Sequence, residues 1–326
     1  MGKKLSKATR SLLRYPGSKA RFVDFISNSI NINGLKGCVF IEPFCGGASA
    51  SIALLESGCA DYIALNDADP LIAHLWDTVF SEANFEWLAE QVMTVPLTID
   101  EWLKQKNLEP TSPREAALKC LYLNRTSFNG IIHKSGPLGG WGQINRTVGV
   151  RFNRDKLSAR IRELSKLSDR VLVVSNNNWE SFCNRMLPEK KCFFYIDPPY
   201  YHKAEKLYGY YFDANEHMKL RNYLIKLNSS WMLSYDDAPE VRRLYQGNSL
   251  KARIIDSTYS THPMGGASHV GREVLYSNLG RLPAPDKGVL VHSGLTVRDS
   301  NYIKSDDVKL TRIPFVTPDS DNLLVA

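Results

Sequence analysis

The chain has 326 residues, 43% of them hydrophobic and 23% charged, the make-up of an ordinary globular protein with one large domain carrying an insertion, or with two domains. No run approaches the roughly 18 continuous apolar residues that a membrane span needs. A net charge of +7 with a pI near 9.0 makes a polyanion such as nucleic acid the natural partner.

The basic start Met1-Gly2-Lys3-Lys4 runs on to Arg10 and Arg14 without an apolar segment and is not expected to be a secretory signal. It leads to the compact loop Arg14-Tyr15-Pro16-Gly17-Ser18-Lys19, which opens a helix. A first strand follows at Cys38-Val39-Phe40-Ile41-Glu42, then the turn Pro43-Phe44-Cys45-Gly46-Gly47 and a helix from Ala48 to Glu56. Tyr62-Ile63-Ala64-Leu65-Asn66-Asp67 is the second strand, followed by a helix from Leu71 to Phe80. After an interruption, strands recur at Val171-Leu172-Val173-Val174, at Cys192-Phe193-Phe194-Tyr195-Ile196, at Trp231-Met232-Leu233-Ser234-Tyr235 and at Glu273-Val274-Leu275-Tyr276. A helix from Asp213 to Leu227 opens on a capping box of Asp213 and Glu216. Alternating strands and helices predict a doubly wound α/β sheet. It is built from residues 1–83 and 170–282, with residues from 283 onward as an extension of unassigned role.

The interruption, residues 84–169, is expected to be an inserted, mainly helical subdomain. It opens with two short helix-like segments, and Ser112-Pro113-Arg114-Glu115 then starts a helix running to about Leu123. Beyond it, Gly130, Gly136, Gly139, Gly140 and Gly142 are mixed with Lys134, Trp141, Arg146, Arg151 and Arg154, a composition that predicts a basic hairpin or extended loop. The six cysteines, Cys38, Cys45, Cys59, Cys120, Cys183 and Cys192, show no paired close spacing and are read as small hydrophobes in a reducing cytoplasm. His262 and His269 have no cysteine or carboxylate pattern beside them, and no metal site is expected.

Three places carry chemistry. The run Cys192 to Ile196 ends abruptly at Asp197-Pro198-Pro199-Tyr200, where two prolines stiffen the turn at a strand's carboxyl end, the place where open α/β sheets bind ligands. A carboxylate, a proline carbonyl and an aromatic face meeting there suit a planar heterocycle with an amino group. Asp197 and the Pro198 carbonyl would accept the two amine hydrogens and Tyr200 would stack on the ring. Taken alone, the same four residues equally fit a rigid strand-ending turn. The glycine turn lets a ligand approach the backbone at a helix amino end, and Asp67, about 20 residues later, suits the hydroxyls of a ribose. The turn lacks the full dinucleotide fingerprint, and Glu42 would repel a pyrophosphate but attract an ammonium or sulfonium cation; S-adenosylmethionine carries both. Tyr15 and Lys19 are candidates to cover that cofactor and hold its carboxylate.

Arg14-Tyr15-Pro16-Gly17-Ser18-Lys19, Phe44-Cys45-Gly46-Gly47, Leu65-Asn66-Asp67, Leu121-Tyr122-Leu123-Asn124-Arg125-Thr126-Ser127-Phe128-Asn129-Gly130 and Asp197-Pro198-Pro199-Tyr200 follow one another in an order that resembles the Dam-like DNA adenine-specific methyltransferases, over roughly residues 10 to 280. The resemblance implies a Rossmann-like S-adenosylmethionine-dependent sheet and methyl transfer to the exocyclic amine of adenine in double-stranded DNA, with base flipping. It implies cofactor contacts from Tyr15, Lys19, Phe44, Gly46, Gly47, Asp67 and Asp197, and catalysis by Asp197, Pro198 and Tyr200. It makes the insertion the target-recognition region, with DNA contacts expected from Asn124, Arg125, Asn129, Lys134, Trp141, Arg146 and Arg151. The stretch Leu138-Gly139-Gly140-Trp141-Gly142-Gln143 departs from the Dam pattern, which leaves the recognised sequence open. The implied setting is the nucleoid in the cytoplasm, and with little room for a nuclease domain a restriction endonuclease would be a separate partner. Two other readings stay open: an RNA or protein-amide methyltransferase on the same fold, and a catalytically silent DNA-binding module.

Overall fold

The computed structural model describes residues 11–14, 17–189, 191–201, 211–245, 249–259, 269–285 and 295–299. Tyr15 and His262 lie outside these. Two runs organise the centre, β1 (Cys38–Glu42) and β4 (Cys192–Ile196), and both are buried along their whole length. Their side chains alternate between two cores as strand geometry demands. Phe40, Phe193 and Tyr195 enter one, with Phe40 stacked 5.7 Å from Phe193 and 5.9 Å from Tyr195. Val39, Ile41, Phe194 and Ile196 enter the other. Strands buried on both faces read as continuous apolar runs, which is why the sequence announces them.

Beside β1 lie β2 (Ala60–Asn66) and then β3 (Val171–Ser175); beside β4 lies β5 (Ser230–Asp236), all parallel. Strands β6 (Lys251–Tyr259), β7 (His269–Ser277) and β8 (Leu295–Asp299) add antiparallel pairings, giving the order β3-β2-β1-β4-β5-β7-β6-β8. The expected α/β sheet is present. β6 is an addition to the reading, because its Arg253 and Asp256 disguise it as a loop. Asp256 is shared by Arg272 of β7 and Arg298 of β8, each at 2.7 Å, and this ion-paired crosslink lets charged residues lie within the sheet. Through β8, residues beyond 283 join the sheet edge.

One face of the sheet carries α1 (Val23–Ile32), α2 (Ser49–Glu56) and α3 (Pro70–Val79); the other carries α8 (Trp179–Met186), α9 (Ala214–Lys226) and α10 (Pro239–Tyr245). Asp213 caps α9 by accepting the Glu216 amide at 2.8 Å, as the capping box predicts. Between α3 and β3 come α4 (Phe85–Thr94), α5 (Ile99–Asn107), α6 (Pro113–Thr126) and α7 (Arg154–Ser165). Ser112 caps α6, whose face packs on α3. The unforeseen helix is α7, where Leu157, Ile161 and Leu164 at i, i+4 and i+7 are buried and Asn153 is the cap. Its three arginines, Arg154, Arg160 and Arg162, mask that period in the sequence.

Strand order reverses between β1 and β4, the topological switch point of this sheet. The turn after β1 and the turn after β4 therefore flank a single crevice.

Candidate active site

The turn after β1 is held by backbone geometry that small residues permit. Gly46 has φ +44° and Ala48 φ +47°, the Gly46 carbonyl accepts the indole N–H of Trp76 at 2.8 Å, and α2 begins at Ser49. Asp67, just past β2, accepts the Gly46 amide on Oδ2 at 2.8 Å and the Asp69 amide on Oδ1 at 2.9 Å, which places it under the turn. Asn66, to which the sequence reading gave no role of its own, is buried and joins three strand ends. It donates to the carbonyls of Pro43 and Asn177 and accepts from Ser175 Oγ and the Asn177 amide. An asparagine ending an apolar strand is the signal that marks it.

Gly46, Asn66 and Asp67 line one pocket with Lys19, Glu42, Phe44, Gly47, Asp197, Pro198 and Tyr200, so eight sequence-derived site residues and the singled-out Glu42 converge there. The pocket also has an aromatic wall that single motifs did not reveal. Phe44 lies edge-on to Phe212 at 5.6 Å and tilted to Trp179 at 6.4 Å, and the Trp179 indole donates to Glu216 at 3.2 Å. Glu42 is buried at the pocket's base with Ser51 bonded to its Oε2 through both amide and hydroxyl. Burial pushes its carboxyl up to about 8, against the pull of Ser51. Burial likewise pushes Asp67 up to about 7, helped by the charge of Asp69.

At the other lip, Asp197 Oδ1 accepts from Ser234 Oγ at 2.9 Å and faces Lys19 Nζ at 2.9 Å. Tyr195 donates to Ser234 at 3.1 Å, extending the chain of contacts into the core. Burial alone would push the Lys19 ammonium down, but Asp197 and Glu273 together hold it well above the ordinary lysine value. Lys19 also donates to the Gly17 carbonyl at 3.0 Å and lies 5.6 Å from the Tyr200 ring. Asp197 lines the pocket with 21% of its side chain exposed, and its Oδ1 is the oxygen held by Lys19 and Ser234.

The insertion presents a different chemistry, and here the reading needs correction. Asn124 is buried: its Oδ1 accepts the Arg14 amide at 2.7 Å and its Nδ2 donates to the Gly130 carbonyl at 2.8 Å and the Arg14 carbonyl at 3.4 Å. Arg125 donates to the carbonyls of Leu12 and Ser11. Both therefore hold the amino-terminal segment, and direct DNA contact by Asn124 does not survive its burial. Arg154 is likewise engaged by the carbonyls of Val92 and Val95.

Of the two forms expected, a hairpin or an extended loop, the stretch takes the second, an irregular loop with one bridge, Ser127 to Pro137. Gln143 replaces a ladder by donating to the carbonyls of Leu138 and Gly140 and accepting the Val148 amide. Gly139, at φ +84°, is required because a Cβ there would lie 1.9 Å from the Arg146 carbonyl. Asn129, in the left-handed region at φ +56°, and Lys134 and Arg146 are exposed. Trp141 is 64% exposed and stands edge-on to buried Trp102 at 5.7 Å. Burial, together with the nearby charges of Arg14 and Arg146, lowers the affinity of Arg151 for its proton. Phe128, Ile144 and Val150 add exposed apolar surface around them.

No helix among the described residues is long and apolar enough to cross a membrane, and no cluster of His, Cys, Asp or Glu among them is placed to hold a metal ion. A comparison with curated proteins returned no match. Residues 15–260, well over half of the chain, match the family described as D12 class N6 adenine-specific DNA methyltransferase. The chain belongs to this family and is an enzyme that methylates adenine in DNA.

Proposed function

We propose that the pocket at the switch point binds S-adenosylmethionine beside a flipped adenine, and that the insertion reads the surrounding duplex. The observation that carries this is Asp197. Its Oδ1 is engaged by Lys19 and Ser234, its carboxylate opens on the same pocket as the glycine turn, and the two prolines keep it from turning away.

The pocket residues fit that cofactor. The close backbone at Gly46, the aromatic wall of Phe44, Trp179 and Phe212, and the acid at Asp67 suit an adenosine. Glu42, a buried acid in the pocket wall, suits a cation. When bound there, S-adenosylmethionine supplies a methyl group whose C–S bond breaks with its electron pair going to sulfur, as the target nitrogen's lone pair forms the new N–C bond. Asp197 and the Pro198 carbonyl accept the two amine hydrogens, which brings the nitrogen's lone pair out of conjugation with the ring. Tyr200 stacks on the base, a contact worth roughly 1–3 kcal/mol. The nitrogen then loses one proton to solvent by way of Asp197. Flipping costs a few kcal/mol, and the cationic group of Arg14, Arg146 and Arg151 provides the phosphate contacts that offset it. A DNA substrate in turn implies a nucleoid setting.

The test is to express the chain in cells lacking adenine methylation and read modified bases in their genomic DNA. N6-methyladenine at a short recurring sequence is expected, with no new methyl groups in RNA or protein. Methylated cytosine in its place contradicts the assignment of the base.

A further inference from the structure

His133 belongs to no motif read from the sequence and does not line the pocket, yet it reaches the pocket wall from the insertion. Asp67-Ala68-Asp69-Pro70 joins the end of β2 to α3, and the first three of these residues line the pocket. Asp69 serves this segment twice. Its amide donates to Asp67 Oδ1 at 2.9 Å, and its own Oδ1 caps α3 by accepting the Leu71 amide at 3.0 Å, with proline at the first helical position. Its Oδ2 meets His133 Nε2 at 2.5 Å. Only 8% of the Asp69 side chain and 35% of the His133 side chain are exposed, so the contact is largely shielded from water. An ionised carboxylate only accepts, which makes Nε2 the donor whether the imidazole is neutral or charged.

His133 arrives along a fixed path. Lys106 of α5 donates to the carbonyls of Ile132 and His133 at 2.9 and 2.6 Å, and Ile132 is buried. Bracing this segment therefore calls for no acid of the pocket wall, and capping α3 calls for only one oxygen of Asp69. The second oxygen has a different use. Its bond to His133 fixes the rotation of the Asp69 carboxylate and offsets a negative charge that disfavours the anionic form of Asp67. An acid that receives ribose hydroxyls gains from both, because a carboxylate accepts more strongly than a carboxylic acid and a fixed one loses less freedom on binding.

We propose that His133 is a positioning residue for the cofactor, which holds Asp69 and through it Asp67, so that one residue of the insertion sets the affinity of a pocket it does not line. It acts through Asp69 and need not touch the cofactor. The inference rests on the assignment of the pocket to S-adenosylmethionine and of Asp67 to its ribose.

The experiment measures S-adenosylmethionine binding by calorimetry in the absence of DNA, with thermal unfolding alongside, for the full chain and its variants H133A, H133Q, D69S and H133A/D69S. D69S keeps an oxygen that can cap α3 and removes the one that His133 uses. H133A is expected to weaken binding by about threefold to tenfold, the net contribution of one hydrogen bond. H133Q, which retains an N–H donor, should bind more tightly than H133A, a rescue that a merely structural brace does not give. The double variant should match D69S to within about twofold, since nothing is left for H133A to remove once the partner oxygen is gone. A loss below about threefold in H133A, an H133Q no better than H133A, or single losses that multiply in the double variant overturns the proposal. If H133A does not fold, D69S decides: a loss of about threefold or more supports the role and a smaller one overturns it. Asp67→Ala in the same assay separates the two readings. If it binds like wild type, the ribose assignment falls and the route through Asp67 falls with it, whereas a weakened Asp67→Ala beside an unaffected H133A removes only the role of His133.

Discussion

The turn after β4 and the loop between α6 and α7 are both built from prolines, glycines, aromatics and charges, but they place their charges in opposite circumstances. Around Asp197, every charge has a near partner: Lys19 lies between Asp197 and Glu273, and Ser234 and Tyr195 continue the network inward. At the loop, Arg151 lies within electrostatic reach of Arg146 and of Arg14 from the amino-terminal segment, and no described carboxylate pairs with these three. A charge satisfied inside the protein is positioned for chemistry, where sub-ångström placement governs rate. Under the proposed function these cations meet an anion supplied from outside, the phosphate that a DNA substrate brings.

That contrast can be broken most directly at its buried end. Asp197→Ala should reduce methyl transfer by about a thousandfold, measured as methyl incorporation into duplex DNA, with a smaller loss of cofactor affinity. Near-normal turnover would remove Asp197 from the mechanism. Asp67→Ala should weaken S-adenosylmethionine binding by about tenfold, the loss of a charged hydrogen-bonding group, while leaving DNA affinity alone. Titrating the two ligands separately checks this, and a selective loss of DNA binding would put the cofactor elsewhere.

The exposed end is tested by salt. Arg146→Ala and Arg151→Ala should each lower the slope of log affinity against log salt by about one, with cofactor binding unchanged. A slope equal to that of wild type would mean that neither residue touches phosphate. The smallest expected effect is on stability. Because burial raises the Glu42 carboxyl to about 8, the folded protein without cofactor holds a proton there that the unfolded chain has already released. Stability is therefore greatest below the ordinary carboxyl range and falls as pH rises toward that value, by at most about 1.4 kcal/mol per pH unit for one group. Asp67 adds to the same trend up to about 7. Glu42→Gln should make the decline of Tm between about pH 5 and pH 8 shallower; an unchanged decline would assign it to other groups.

The buried half of the comparison was legible in the sequence and the exposed half was less so, for a physical reason. Parallel strands buried on both faces must be continuous apolar runs, and a turn beside a ligand must use Gly, Pro or a carboxylate, so β1, β4, the glycine turn, Asp67 and Asp197 stand out singly. Residues acting through partners far along the chain carry no local mark. Glu273 meets Lys19 across 254 positions, Asn124 meets Arg14 across 110, and Phe44 meets Phe212 only once the sheet has formed. The same blindness applies to Asn124, which the resemblance made an expected DNA contact: nothing local in the sequence shows that its partners are backbone groups of Arg14 and Gly130. β6 was missed because Asp256 hides its charge in a crosslink to two other strands.

The passage of the amino-terminal segment beneath the insertion limits how this enzyme can be re-engineered. A Cβ at Gly130 would lie 2.3 Å from the Arg14 carbonyl, and Asn124 and Arg125 fasten residues 11–14 from the other side. Five positions after Arg14 comes Lys19, in the catalytic pocket. The loop after α6 is thus not a detachable cassette. A chimera that grafts residues 84–169 from a relative onto this sheet must carry matching residues 11–14 with it, or the graft will disturb Lys19 in the pocket on the opposite side of the seam.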